Sequence, residues 1–367
     1  MDDIGSRGNA MRLIDRRLNR SGRSERGATI VFVVLGIVGI LGMASIVIDV
    51  GALRQERRTL QNGADAAALA VARDCIDGNC GAVLTTAGTY ANMNADDGKA
   101  IVDQLCGYDK SATMPACTGP AVTPPVGALG WVKAKTRTLD GAGNQKVMFG
   151  FGRIFGQTGA AVNADAYTAW GSPARVTDVP LMFADCEYQR WKSAGGDIVI
   201  KNVYDSPACT NTKGGNPSGG FSWQEYSSNC LLETTITSVS GTDVVEVLPQ
   251  GNGKNKATRP PPGCNPTKVS ALLNQLIRVP IWDSSVDCGG HLQYTIVGFA
   301  LFRITGIAEV NGNINTNMLA GECPDGRCFK GHFESLVEAA KTRFGGVDYG
   351  NLTYRLFNAD NSNGNFT

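Results

Sequence analysis

The longest unbroken apolar run in the chain lies between Ala28 and Ile48 (ATIVFVVLGIVGILGMASIVI), 21 residues without a charge. A helix rising 1.5 Å per residue crosses a bilayer core of about 30 Å in that length. The pattern therefore predicts a transmembrane helix, assigned to residues 28–50. A cleaved secretory signal fits less well, because its apolar region is about 7–15 residues long and no A-x-A site follows the run. After Asp49 the pattern remains helical through GALRQERRTLQNGADAAALAVARDC, rich in Ala, Leu, Arg and Gln, with no proline until well past Cys75. A helix unbroken from Ala28 to about Asp74 would be roughly 70 Å long. Leu53, Leu60, Ala64, Ala67 and Val71 recur at near-heptad spacing, so this half can pack on the chain's own domain or on a partner helix.

A Pro/Gly-rich stretch at 118–130 marks a linker, after which the period changes from helical to alternating. Val132, Ala134, Thr136 and Thr138 share one face of a strand, and Lys133, Lys135 and Arg137 share the other. Val162, Ala164, Ala166, Thr168 and Trp170 repeat the pattern, with Asp140-Gly141 as a turn between the two stretches. Further strands are expected at Asp197 to Tyr204, Cys230 to Val239, Asp243 to Leu248, Ile277 to Trp282, Gln293 to Thr305 and Leu352 to Phe357. The apolar stretch Tyr294 to Ala308 is too short for a second span and is interrupted by Arg303, so it reads as a buried strand. Pro266 to Ile277 reads as a helix, with Asn265 as its cap and Pro266 in the first turn. Gly214 to Gly220 and Pro260-Pro261-Pro262-Gly263 read as loops. The fold class is thus α+β, an N-terminal transmembrane and extended helix followed by a β-rich, disulfide-containing extracytoplasmic domain. In order, the divisions are an Arg-rich leader (1–27), the span (28–50), a helical stalk and cysteine-bearing connector (51–117), the linker (118–130), the β-rich exported domain (131–357) and a flexible tail (358–367).

Charge and cysteine placement give the assembly a direction. Residues 1–27 hold seven arginines (7, 12, 16, 17, 20, 23, 26) and residues 49–75 hold four (54, 57, 58, 73), a bias that puts the N-terminus in the cytoplasm. All eleven cysteines (75, 80, 106, 117, 186, 209, 230, 264, 288, 323, 328) lie beyond the apolar run, where an oxidising compartment would be. Both features place the protein in the cell membrane as a single-pass chain with its C-terminal domain outside. Eleven is odd, so at least one thiol is free or pairs between molecules. With 34 Lys+Arg against 33 Asp+Glu there is no broad basic field, so nucleic acid is not expected as a partner. The 46 glycines and 18% charged residues describe a turn-rich body rather than a helical enzyme.

Candidate chemistry is sparse. The two histidines, His291 and His332, lie in no metal or acid-base signature, and neither a G-x-S-x-G elbow nor a Walker loop occurs. No catalytic residue, cofactor, metal or small-molecule substrate is therefore assigned, and the protein is not read as an enzyme. Cys75/Cys80 and Cys323/Cys328 each enclose four residues and could be zinc ligands or local disulfides, the redox compartment favouring disulfides. Trp170, Trp191, Trp223 and Trp282 could line a carbohydrate site, although core packing is their default. Gly36, Gly39 and Gly42 recur every third residue, a thin stripe where another membrane helix could approach closely. Glycine is also simply commoner in such helices.

Arg26-Gly27-Ala28, the apolar run, Ile48-Asp49-Val50-Gly51 and then Leu60-Gln61-Asn62-Gly63-Ala64-Asp65-Ala66-Ala67-Ala68-Leu69-Ala70 together resemble the N-terminal module of TadG-like pilus-assembly proteins. Looser likenesses to actinobacterial members run through Val132 to Gly171, Pro180-Leu181, Cys186-Glu187-Tyr188, Gly220 to Trp223 and Tyr294 to Gly306. The resemblance implies a membrane-anchored accessory or minor pilin-like protein of a Tad/Flp system, with TadE-like proteins and other pilus components as partners. A membrane-tethered surface adhesin or glycan-binding domain is the alternative. Two departures qualify what the resemblance carries over. Many TadG-like proteins have a von Willebrand A domain with a D-x-S-x-S metal motif, which Asp283-Ser284-Ser285-Val286-Asp287 does not fit. Prepilins keep a glutamate five residues into the mature chain, where cutting after Gly27 would put Phe32.

Overall fold

The computed structural model describes residues 7–76, 80–95, 100–110, 112–139, 143–202, 220–224, 229–236, 246–247, 259–287, 292–309, 314–324, 326–339 and 343–356. One helix, α1, runs from Arg7 to Ile76 over 70 residues without a proline. It includes the predicted span, the helix predicted beyond it, and part of the leader. A second helix, α2 (Val83–Met93), returns alongside its end, closed by the Cys75–Cys80 disulfide.

The last third of α1 and all of α2 lie on a five-stranded sheet. Its first members are β1 (Ala100–Asp109) and β2 (Gly130–Thr138). The small two-stranded hairpin of β3 (Val147–Met148) and β4 (Gly159–Ala160) then leaves the sheet, and β5 (Asn163–Gly171) re-enters it antiparallel to β2. The strands Asn351–Leu356 and Leu336–Ala339 complete the sheet beside β5. The predicted alternation holds in β2, where Val132, Ala134, Thr136 and Thr138 are buried under α1. Their neighbours face water and pair across strands, Lys133 with Asp165 (3.6 Å), Lys135 with Asp103 (3.5 Å) and Arg137 with Asp103 (2.8 Å). Such half-buried pairs contribute modestly to stability. β1 arises within the region read as stalk and connector, so residues 51–117 and 131–357 share one sheet.

A nine-stranded sheet forms the larger core. Its spine is Leu292–Glu309, paired with Leu276–Asp287 on one side and Cys328–Glu334 on the other. The apolar stretch around Tyr294 is therefore a central strand, with Tyr294, Ile296, Phe299, Phe302 and Ile304 fully buried. Edge-to-face aromatic contacts fill the space, including Phe183 to Phe302 at 4.8 Å and Phe221 to Phe329 at 4.9 Å. The expected strands near 198, 232, 246 and 352 are present as Ile198–Lys201, Leu232–Thr235, Glu246–Val247 and Asn351–Leu356.

The helix expected over Pro266 to Ile277 is shorter than predicted. Asn265 caps it through the Lys268 N–H (3.0 Å), but it ends at Ser270. Asn274 then takes a left-handed backbone (φ 61°) and donates its N–H to the Ile304 carbonyl at 2.7 Å, which turns the chain into the strand beginning at Leu276. The Asp140-Gly141 turn, the loop over 214–219, His291 and the tail lie outside the described residues.

Candidate functional site

The docked half of α1 is positioned by small residues. Leu60, Ala64, Ala67, Ala68, Val71 and Ala72 form a buried stripe against β2, β5 and α2. Alanine allows the helix axis to lie close to the sheet, and Gly63 allows it to lie close to α2. A side chain on Gly63 would place its Cβ 3.1 Å from the Ala91 carbonyl oxygen. Polar bonds fix the register. The Thr136 hydroxyl donates to the Leu60 carbonyl (2.9 Å), Gln61 donates to the Asp165 carbonyl (3.1 Å) and to Asp65 (2.8 Å), and the Thr138 hydroxyl bonds Glu56. Burial pushes the Asp65 carboxyl above its usual range, partly offset by the Gln61 bond. The predicted stripe from Leu60 to Val71 is thus consumed by the chain's own domain, while Leu53 stays half-exposed.

The other half projects free. From Ile30 to Ile48 the large apolar side chains are exposed, Phe32 at 74% and Met43 at 72% among them. α1 is the one helix among the described residues long and apolar enough to cross a membrane. Gly36, Gly39 and Gly42 have nothing within 4 Å of where a Cβ would stand, so among the described residues their stripe is unfilled along its length.

Between the halves sits Asp49, buried at the end of the apolar segment. Its carboxylate accepts three backbone N–H groups from the β3–β4 hairpin, Gly150 (3.0 Å) and Phe151 (3.4 Å) on Oδ1 and Gly152 (2.7 Å) on Oδ2. No local pattern announces this contact, which joins residues about a hundred positions apart; only the lone carboxylate ending an apolar run could have drawn attention to it.

The remaining candidates are structural. Cys75–Cys80, Cys106–Cys117, Cys230–Cys264 and Cys323–Cys328 are disulfides. Cys186 is disulfide-bonded as well, while Cys209 and Cys288 lie outside the described residues. His332 Nδ1 lies 2.6 Å from an Asp197 oxygen, and its Nε2 lies 3.5 Å from Glu334. Asp197 is subject to some desolvation, but bonds from Thr305 and His332 outweigh it and hold the carboxyl below its usual range. Glu334 is held low mainly by its hydrogen bond from Arg303. Asp283 and Ser285 are buried side by side on one face of a strand, with the Ser284 hydroxyl donating to Asp283 at 3.0 Å. Among the described residues no group of three His, Cys, Asp or Glu could hold a metal ion. Trp170, Trp223 and Trp282 are buried, and Trp191 packs against Phe333 at 5.5 Å.

Residues 27–74 match the family model described as "Tad: Putative Flp pilus-assembly TadE/G-like". The matched segment comprises the apolar half of α1, Asp49 and nearly all of the docked half. No curated protein and no solved structure matches the chain.

Proposed function

We propose that this chain, through its TadE/G-like module, is a membrane-anchored accessory or minor pilin-like protein of Tad/Flp pilus assembly that acts through protein–protein contacts. One observation carries the reading. The segment that matches the family is a single helix whose first half is exposed and apolar and whose second half is the packed centre of a β-rich domain. Such a helix can hold a folded domain at a fixed place on a membrane, which is what an assembly component requires and what a diffusible enzyme does not. The reading includes no catalytic step. The Arg-rich leader lies in the cytoplasm and the disulfide-bonded domain outside it, consistent with the charge bias and with the oxidising compartment that disulfides need.

Partners in the membrane, TadE-like proteins among them, would meet the helix at Gly36, Gly39 and Gly42, where backbones can approach closely. The alternative of a tethered glycan-binding adhesin receives little support from the tryptophans. Trp170, Trp223 and Trp282 are 2%, 1% and 0% exposed and present no ring face to a sugar.

Three measurements test the proposal. Deleting the gene should abolish or reduce surface pili, and external protease should cut the C-terminal domain in spheroplasts. Intact-mass analysis should find the leader still attached to membrane-extracted protein. A chain beginning at Ala28 and recovered in sheared pili would show a processed shaft subunit, and the anchor reading would be dropped.

A further inference from the structure

The β3–β4 hairpin is a compact, self-bonded cap with its greasy side turned outward. Its strands pair Val147 with Ala160 and Met148 with Gly159, and Phe149 donates to the Thr158 carbonyl (3.1 Å). The tip is a 3-10 turn, Gly152–Phe155, closed by N–H bonds from Gly156 to Arg153 (3.1 Å) and from Gln157 to Gly152 (3.0 Å). Together with the bonds to Asp49, these turns pair much of the tip's backbone N–H within the protein. Its side chains are not those of a water-facing loop: Ile154 is 77% exposed, Phe151 43% and Met148 37%.

Its position is fixed by Asp49, which holds three of its N–H groups. Gly152 is required for that approach, because a Cβ there would stand 3.2 Å from the carboxylate and 2.8 Å from the Phe149 ring. Ser45, one turn earlier on α1, is also buried, although the apolar side chains around it are exposed. The covered face of the helix thus extends about 6 Å into the apolar segment. The hairpin therefore stands where the helix leaves the bilayer, beside the exposed Ile46, Val47 and Val50. Two basic residues belong to the same hairpin, Lys146 at its base and the exposed Arg153 in its tip beside Ile154.

We infer that the β3–β4 hairpin is a second membrane contact, its Phe151, Ile154 and Met148 side chains immersed in the outer interface of the bilayer. An apolar tip with much of its backbone N–H bonded within the protein and basic residues beside it has the chemistry of an interfacial anchor, and the Asp49 bonds set it against the helix at the end of the apolar segment. Asp49 couples the two anchors, so the domain is held to the lipid surface at two points.

The inference rests on α1 spanning the membrane, and the test separates the two. The full chain and its Ile154→Trp variant are reconstituted in nanodiscs of phosphatidylcholine with phosphatidylglycerol. Co-elution of protein with nanodiscs reports the span alone; a chain that does not co-elute lacks the span and overturns both readings. The difference in emission between variant and parent reports the tip. The expected result is a blue-shifted added emission that loses at least half its intensity when the lipid is brominated near the carbonyl region, and that reverts to water-like in the Asp49→Ala background. Added emission that is water-like and quenched by acrylamide, from protein that does co-elute, overturns the inference while leaving the span intact. Blue-shifted emission that ignores brominated lipid and depends on protein concentration also overturns it, assigning the tip to a contact between copies.

Discussion

The Thr136 hydroxyl donates to the Leu60 carbonyl at 2.9 Å, a buried bond from the sheet into the side of a helix that is already hydrogen-bonded along its own axis. It joins two elements 76 residues apart and fixes where along the sheet the helix stops sliding. Thr136→Val keeps the shape and removes the donor. The Leu60 carbonyl retains its helical partner, so the cost should be about 1 kcal/mol rather than that of an orphaned buried group. Urea unfolding of the detergent-solubilised full chain measures it; a change near zero would mean that packing alone sets the register.

Two glycines in the same helical layer should respond in opposite directions. Gly63→Val drives a branched side chain toward the Ala91 carbonyl and should destabilise by about 1–3 kcal/mol. Gly88, on α2, has nothing within 4 Å of its missing Cβ, so Gly88→Ala should stabilise by roughly 0.5–1 kcal/mol through helix propensity. Thermal unfolding of the pair checks the sign.

The disulfides should differ in worth by the length of chain they close. Cys230–Cys264 spans 34 residues and Cys323–Cys328 only 5. Chain-entropy reasoning gives about 4 kcal/mol for the first and about 2 kcal/mol for the second. Paired serine substitutions, compared by denaturant midpoint, should preserve that order, and non-reducing peptide mapping should recover both bridges from native protein.

Acid should weaken the domain through Asp197 and Glu334. Both carboxyls are held below their unfolded values of about 3.9 and 4.3. Their contribution is therefore complete above those values and is lost as pH falls through the lower, folded ones. Asp178 has the opposite sign. Burial keeps its carboxyl high despite bonds from the Arg278 and Val179 N–H groups, so it adds nothing to the acid loss. Asp197→Asn and Glu334→Gln should each flatten the fall of the unfolding midpoint below about pH 4; an unchanged acid limb in both would show that other carboxylates carry it.

The period of the chain made the helix, the wet and dry faces of β2 and β5, and the central strand around Tyr294 legible, because each follows from residues next to one another. β1 was not legible for an equally local reason. Its pairing with β2 shifts register between Val102 and Gln104, and consecutive Leu105 and Cys106 are both buried, which breaks the alternation that marks a strand. The early end of the helix at Ser270 depends on a bond from Asn274 to Ile304, thirty residues away, and so has no local trace. The contact between Asp49 and the hairpin is likewise non-local. A stripe of small residues from Leu60 to Val71 serves a sheet or a second helix equally well, and only the packed structure shows that the sheet took it.

Because α1 passes from Arg7 to Ile76 without a proline and is clamped at its far end, the chain has no joint between its apolar segment and its domain. A tilt of roughly 20° in the bilayer would carry the end at Ile76, about 40 Å beyond the apolar segment, sideways by about 14 Å. The domain then behaves as the arm of a lever whose fulcrum is the lipid surface. A thinner membrane, by increasing the tilt, would swing the domain without changing a contact within it, pressing the β3–β4 hairpin into the lipid or lifting it out according to the direction of the tilt.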